Sequence, residues 1–566
     1  MADSIITLNQ IEDLEARLGN HATPHNLGSE EYERCLQRWS AIGYLRPGLV
    51  VCPTDAQGIA RTTKFAKDHH IDLAVKGGGH STDTSASSDG GILVDLQHLK
   101  QVNVDPVAKT VSAQGGALWA DVNRAAAHYQ LAVVGGTVSQ TGVGGLTLRG
   151  GYGYLTPQYG LVIDNLLSAN VVTAEGAEVL ASEKDNPDLF WALRGAGQNV
   201  GVVEKFVLQA HPQPNLVWSG IRSYPCDRLP EVIQALNAAL VHPQGKAAAQ
   251  CVLALSPENG SPLVNVVLFF NGCEAEGKKH FMMLLDIKCS SDDVRMRPYL
   301  EANTLLDAAV TAGGRKKILG VQLAPPVRSE FASKLMGEFT HQLAIETDMA
   351  KSAFEFDYFD PSQICCISSE DTAFPARKEI LNGALILQWT DPGRDEGILS
   401  WGKSIQVMCE EEIRRAGHES TALVSNFIGH TSEDSITPAD MFGINANRLL
   451  DIKKKYDPFN EPPPATSHLD TLPVTTLEHT DRYTPQRPLW HECWSYIFYV
   501  PPEVSTSNDS GAAEAGVLPS GMTVGATLSS VPLDVSASNN SGAAQAGVPP
   551  GISASNNYSV TVKCTS

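Results

Sequence analysis

Hydrophobic and polar positions change texture three times along the chain. Up to about residue 40, apolar residues are set among polar ones, and residues 5–40 read as a polar helical lead-in. From Leu49 onward, short apolar runs alternate with amphipathic stretches. Residues 50–52 predict a strand. Pro53-Thr54-Asp55-Ala56-Gln57 then opens a helix to about His70, with Thr54 as N-cap and Gln57 completing a capping box. Strands follow at 71–76, Ile92–Asp95, 102–104 and 110–113, then a helix at 118–128 and a strand at 131–134. Runs at 166–173 and 177–181 predict a hairpin around Glu175-Gly176. Asn186-Pro187 caps a helix to about Arg194, and residues 200–210 read as a strand.

Beyond about His211 glycine becomes sparse, and longer helices separate strands at 264–270, 354–360, 383–389 and 423–428, which predicts a second domain built on a sheet. Strand alternation puts Phe354, Phe356 and Tyr358 on one face and Glu355 and Asp357 on the other; Ala384, Ile386 and Gln388 also share a face. A short basic helix at 448–456 ends at Asp457-Pro458. Past Pro462 small polar residues dominate, and a segment at 504–517 recurs at 535–548. Such a composition cannot bury a core, so residues 465–566 are expected to form a disordered tail, with an aromatic patch at 490–500.

Composition narrows the functional classes. Against 42 Lys and Arg stand 63 Asp and Glu, a net charge of −21, which argues against nucleic acid or an anionic membrane as partner. The eleven cysteines lack metal-ligand spacing, and their odd number points to free thiols. Residues 1–10 have no basic leader, and no apolar run reaches membrane-spanning length. A reducing cytoplasmic setting and no metal are the expectation.

The chemistry is concentrated in glycine. Val75-Lys76-Gly77-Gly78-Gly79-His80-Ser81 follows an apolar run, and three residues without Cβ let backbone N–H groups converge on an anion while His80 offers a nucleophilic imidazole. A second glycine-rich passage runs from Gly135 to Gly145 and continues at Gly150-Gly151-Tyr152-Gly153. Neither is a dinucleotide fingerprint: Gly195-Ala196-Gly197 stands after a helix and before a strand, the inverse of the required order. A phosphate-binding G-x-x-x-x-G-K-[ST] loop and a G-x-S-x-G elbow are both absent.

Taken in order, Lys76-Gly-Gly-Gly-His80-Ser81, Asp89-Gly-Gly-Ile-Leu-Val-Asp95, Gly115-Gly116, Gly142-Val-Gly-Gly145, Gly150-Gly-Tyr-Gly153, Asp164-Asn165 and Asp188-Leu-Phe-Trp-Ala-Leu-Arg-Gly-Ala-Gly197 closely resemble the FAD-binding module of p-cresol methylhydroxylase type. Near relatives in that family are 6-hydroxy-D-nicotine oxidase and the berberine bridge enzyme-like oxidoreductases. The resemblance implies an α+β fold: a two-part FAD module and an α+β substrate domain with an antiparallel sheet. The boundaries expected are 1–44 (lead-in), 45–213 (FAD domain), 214–440 (substrate domain), 441–464 (return to the FAD domain) and 465–566 (tail).

It further implies FAD as cofactor, held by Lys76, Gly77, Gly78, Gly79, His80, Ser81, Gly136, Thr137, Thr141, Gly142, Gly144, Gly145, Gly151, Tyr152, Gly153, Asp164, Val202 and Asn445, with one covalent link from His80 to the flavin 8α position. The cysteine that supplies a second link in many members is replaced by Val138. On the substrate side the candidates are Tyr358, Gln388 and Asn426; the family's Tyr-x-Asn-Tyr reads Val424-Ser425-Asn426-Phe427 here, and His430 and His491 are further possible bases. The expected activity is FAD-dependent removal of hydride from a small, fairly apolar alcohol, amine or ring substrate in secondary metabolism, with molecular oxygen or another acceptor. Oxidative or non-redox cyclisation is the alternative.

Overall fold

The computed structural model describes residues 6–42, 45–83, 86–240, 245–418 and 438–458. Eighteen strands form three sheets among these residues. The first holds β1 (Ala22–Asn26), β2 (Leu49–Pro53), β3 (Leu73–Lys76) and β4 (Ile92–Asp95) in the order β1-β2-β4-β3. β2, β4 and β3 run parallel, and β2 and β4 read as unbroken apolar runs because both of their faces are covered. β1 was not expected from its sequence, Ala-Thr-Pro-His-Asn. It pairs antiparallel with β2 at the sheet edge, where Pro24 leaves no central ladder bond unmade. The following helix, Ala56–Asp68, starts one residue later than predicted. Asp55 is its N-cap, accepting from the Gly58 N–H at 2.9 Å, while the Thr54 hydroxyl donates to the His21 carbonyl.

The second sheet contains β5 (Val102–Asp105), β6 (Thr110–Gln114), β7 (Leu131–Val133), β8 (Leu166–Val172), β9 (Glu178–Ser182) and β10 (Val202–Pro212), all antiparallel. β8 and β9 form the expected hairpin. Helix Pro187–Ala196 follows with Asn186 at its N-cap position as expected, but the Asn186 side chain makes no capping bond. Asn186 sits in the left-handed region (φ 47°) and donates its side-chain amide to the Leu180 carbonyl. Helices Trp119–Ala127 and Pro187–Ala196 supply Trp119, Val122, Phe190 and Trp191 to the core over this sheet.

The third sheet has eight strands: β11 (Val217–Pro225), β12 (Ala247–Leu255), β13 (Pro262–Phe270), β14 (Ser291–Asp292), β15 (Arg295–Arg297), β16 (Arg315–Leu323), β17 (Ala353–Phe359) and β18 (Leu381–Trp389). It is antiparallel in the order β14-β11-β13-β12-β17-β18-β16, with β15 also on β11. Three long helices, Leu229–Ala239, Ser329–Ile345 and Asp395–Arg415, cover one face of it, where Phe354, Phe356, Leu385 and Leu387 meet Leu236, Phe339 and Ile405. The opposite face of this sheet is left to line a cavity.

Candidate active site

A cavity of about 1710 Å³ is lined by the first glycine loop, the second glycine passage, β10 and the uncovered face of the third sheet. The sequence builds each wall locally. β3 ends at Lys76, and the Gly77-Gly78-Gly79 turn follows, with Gly79 in the left-handed region (φ 70°). The two glycine passages touch: a Cβ on Gly78 would lie 2.5 Å from the Gly142 Cα, and one on Gly142 would lie 2.6 Å from the Gly78 nitrogen. These two glycines are therefore required by each other's backbone. Gly145 differs. A Cβ there would meet nothing within 4 Å, so the bare backbone of Gly145 faces open cavity.

His80 stands at the rim of the first loop. Its ring is stacked on Trp39 at 4.7 Å between centroids and 13° between planes. Burial, assisted by the positive charge of Lys316, lowers its pKa to about 4, so the imidazole is neutral at physiological pH. Its Nε2 is buried with no hydrogen-bond partner. Lys316 lies 4.9 Å from the Trp39 ring centroid and donates to the Trp39 carbonyl. A neutral imidazole on the wall of a backbone cradle of this size fits a large planar cofactor that the histidine can attack. Val138 lines the same cavity, and no cysteine does so among the described residues.

The third sheet contributes a buried acidic cluster. Glu355 lines the cavity, and Asp357 stands two residues along the same face. The Gln250 amide donates to both, to Asp357 at 3.0 Å; Asn382 donates to Asp357 at 3.3 Å, and the Tyr154 hydroxyl donates to Gln250 at 3.1 Å. Burial, then the charge of Asp357, raises the Glu355 pKa well above the carboxylate range; burial raises Asp357 to about 6, against the hydrogen bonds of Gln250 and Asn382. A carboxyl pair of this kind holds one proton at neutral pH and can exchange it with a bound molecule.

Of the residues singled out in the sequence, Lys76, Gly77, Gly78, Gly79, His80, Ser81, Gly136, Thr137, Thr141, Gly142, Gly144, Gly145, Tyr152, Val202 and Gln388 line the cavity. Lys76 spends its ammonium on Asp95 at 3.0 Å and on the Cys35 carbonyl. Gln388 donates to the Lys351 carbonyl. Five others lie elsewhere. Asp164 is locked in a bidentate ion pair with Arg377 (2.7 and 2.9 Å), both side chains almost fully buried. Asn445 ties the Ser369 and Thr372 carbonyls. Gly151 packs on Val162, and Gly153 on the Gly135 backbone. Tyr358 points to the helix-covered face, where burial raises its pKa and its hydroxyl has no partner. Asn426 and His430, with the strand expected at 423–428, lie outside the described residues, as do His491 and the segment 465–566. Glu355, which alternation had already separated from Tyr358, was the group the sequence did not single out.

Residues 47–182 match the FAD binding domain family. An FAD-linked oxidoreductase of Aspergillus terreus is 31% identical over 476 residues, covering 80% of this chain and 95% of the relative. The (R)-6-hydroxynicotine oxidase of Paenarthrobacter nicotinovorans is 32% identical over 274 residues, 47% of this chain and 59% of the relative. Among solved structures, 6-hydroxy-D-nicotine oxidase from Arthrobacter nicotinovorans superposes with a TM-score of 0.67 at 24% identity, over 78% of this chain and 96% of that one. Berberine bridge enzyme in complex with (S)-reticuline gives 0.68 at 18% identity, over 81% and 97%. These likenesses show a shared mixed helix-and-sheet fold. No helix among the described residues is long and apolar enough to cross a membrane.

Proposed function

Because the chain belongs to the FAD-linked oxidoreductases, we propose that it removes hydride from a small, fairly apolar alcohol, amine or ring substrate, using FAD bonded to His80. Bound FAD supplies the two-electron acceptor that no side chain here provides. The His80 imidazole lines the cavity that would hold it, kept unprotonated by burial and by Lys316 and held in orientation by the Trp39 stack. The glycines of both loops admit the cofactor close to the backbone, and Val138 leaves a single point of attachment.

On the opposing wall, Ile221, Val252, Val267 and Ile386 surround the substrate with apolar surface, and Glu355 supplies the polar function. Once it has given up its own proton, Glu355 takes the O–H or N–H proton of the substrate as hydride departs, and Asp357, Gln250 and Asn382 hold its carboxyl in place. Gln388 is a second polar group on the same wall. Molecular oxygen or another acceptor then receives the electrons, and secondary metabolism is the setting.

One observation carries this reading: a single cavity is lined both by an unpartnered neutral histidine on a glycine loop and by a buried carboxyl of raised pKa. The test is anaerobic addition of apolar alcohols and cyclic amines to the yellow protein. Bleaching of the flavin band by a member of either class is expected. Turnover of such a compound with the band unchanged throughout points to a non-redox cyclase and overturns the proposal. A protein that binds no FAD sinks it sooner.

A further inference from the structure

A second cluster lies beneath the first sheet, outside the cavity. In the antiparallel pair β1–β2, Thr23 faces Cys52 and His25 faces Val50. Side chains alternate along a strand, so His25 and Cys52 leave the pair on the same face as diagonal neighbours. Helix Glu30–Cys35 ends at Cys35, which is buried beside Cys52 in an apolar shell of Tyr32, Leu36, Val50 and Leu93. The two sulfurs are 3.6 Å apart, and the ligating atoms of His25, Cys35 and Cys52 all lie within 4.8 Å of one another. The Gln97 side-chain amide nitrogen donates to both sulfurs, at 3.1 and 3.2 Å.

A tetrahedral zinc ion with Zn–S bonds of about 2.3 Å holds two thiolates about 3.8 Å apart. The observed separation is close to that value and far from the bond length of a disulfide. Two thiols and an imidazole, brought together by an edge strand, its neighbour and a helix end, form a soft donor set of the kind that selects zinc over magnesium or calcium.

We propose that His25, Cys35 and Cys52 bind one zinc ion, the fourth position being filled by water while the Gln97 amide N–H donates to the thiolates. On binding, two S–H bonds break, two Zn–S bonds and one Zn–N bond form, and two protons pass to solvent. The two thiolates neutralise the dication, and nothing is oxidised or reduced. The consequence reaches the flavin loop. The Cys35 carbonyl accepts from Lys76 at 2.6 Å, and four residues later Trp39 stacks on His80. A filled site pins the segment that carries both contacts.

The experiment uses the full-length flavoprotein with its thiols kept reduced by a phosphine. It is loaded with zinc, passed through gel filtration and assayed by elemental analysis; cobalt(II) replaces zinc for spectroscopy. About one equivalent of zinc should be retained, and cobalt should give tetrahedral ligand-field bands with a thiolate charge-transfer band. Cys52→Ser should abolish the charge-transfer band or reduce it by half. His25→Ala, at a partly exposed edge-strand position, should weaken zinc binding at least about tenfold while the flavin absorbance stays. Retention below about a tenth of an equivalent with no cobalt bands overturns the proposal. So does zinc retention equal to wild type in both His25→Ala and Cys52→Ser, or a Cys35–Cys52 disulfide mapped in the protein isolated without reductant.

Discussion

Replacing Glu355 by glutamine should move activity and stability in opposite directions. Glutamine keeps the shape and can still accept from Gln250, but it cannot take a proton. Loss of a positioned general base costs about 10²–10⁴ in rate, or roughly 3–5.5 kcal/mol of barrier. Stability responds the other way. Both carboxyls of the pair have folded-state pKa values raised by burial, so the unfolded chain ionises first as pH climbs, and the stability they contribute at low pH is lost on rising through their folded values. Asp357 alone, displaced from 3.8 to about 6, accounts for up to about 3 kcal/mol. Because glutamine has no buried ionisation of its own to undergo, the variant should gain on the wild type in urea unfolding as pH rises from 5 to 9. The kinetic assay is rapid anaerobic mixing with a bleaching substrate, following loss of the flavin band. Wild-type reduction should accelerate with pH as Glu355 loses its proton, while the variant is slow and flat. Reduction by the variant within threefold of wild type, with an unchanged pH profile, would refute Glu355 as the base.

Further outcomes follow from the cavity and its supports. His80→Ala should release all of its flavin into the supernatant on acid precipitation, whereas the wild type keeps its colour in the pellet; adding Val138→Cys to that variant should return colour to the pellet, because residue 138 lines the same cavity. Gly145→Ala should stabilise the apoprotein by about 0.5–1 kcal/mol through helix propensity, read in urea unfolding, yet weaken FAD binding by filling open cavity; tighter binding would contradict the cradle. Arg377→Met leaves Asp164 buried without its partner and should cost about 3–5 kcal/mol in urea unfolding. A loss below about 1 kcal/mol would show that the pair is not a structural lock.

How much could be read in advance depended on the range of the interaction. The first glycine loop was legible because its strand, its turn and its histidine are neighbours in the chain, and the apolar runs of β2 and β4 announce strands covered on both faces. Thr54 and Asp55 are both good caps, and the choice fell to Asp55 once its side chain met Gly58 and His21. β1 carried no strand signal; pairing with β2 recruits it. Asp164 and Asn445 looked like ligand-binding polar residues, because a polar side chain reads the same whether it meets a ligand or an arginine 213 positions away.

By itself, the sequence determined the local chemistry: two passages of bare backbone, a histidine beside one of them, a valine within the other, and the separation of Phe354, Phe356 and Tyr358 from Glu355 and Asp357. Only the tertiary structure decided which of those two faces meets the cavity. Three amphipathic helices must bury their apolar stripes, and they cover the aromatic face because that burial removes the most apolar surface from water. The acidic face is left to the cavity, and there the low-dielectric surroundings raise the Glu355 pKa and leave the His80 nitrogen neutral and unpaired.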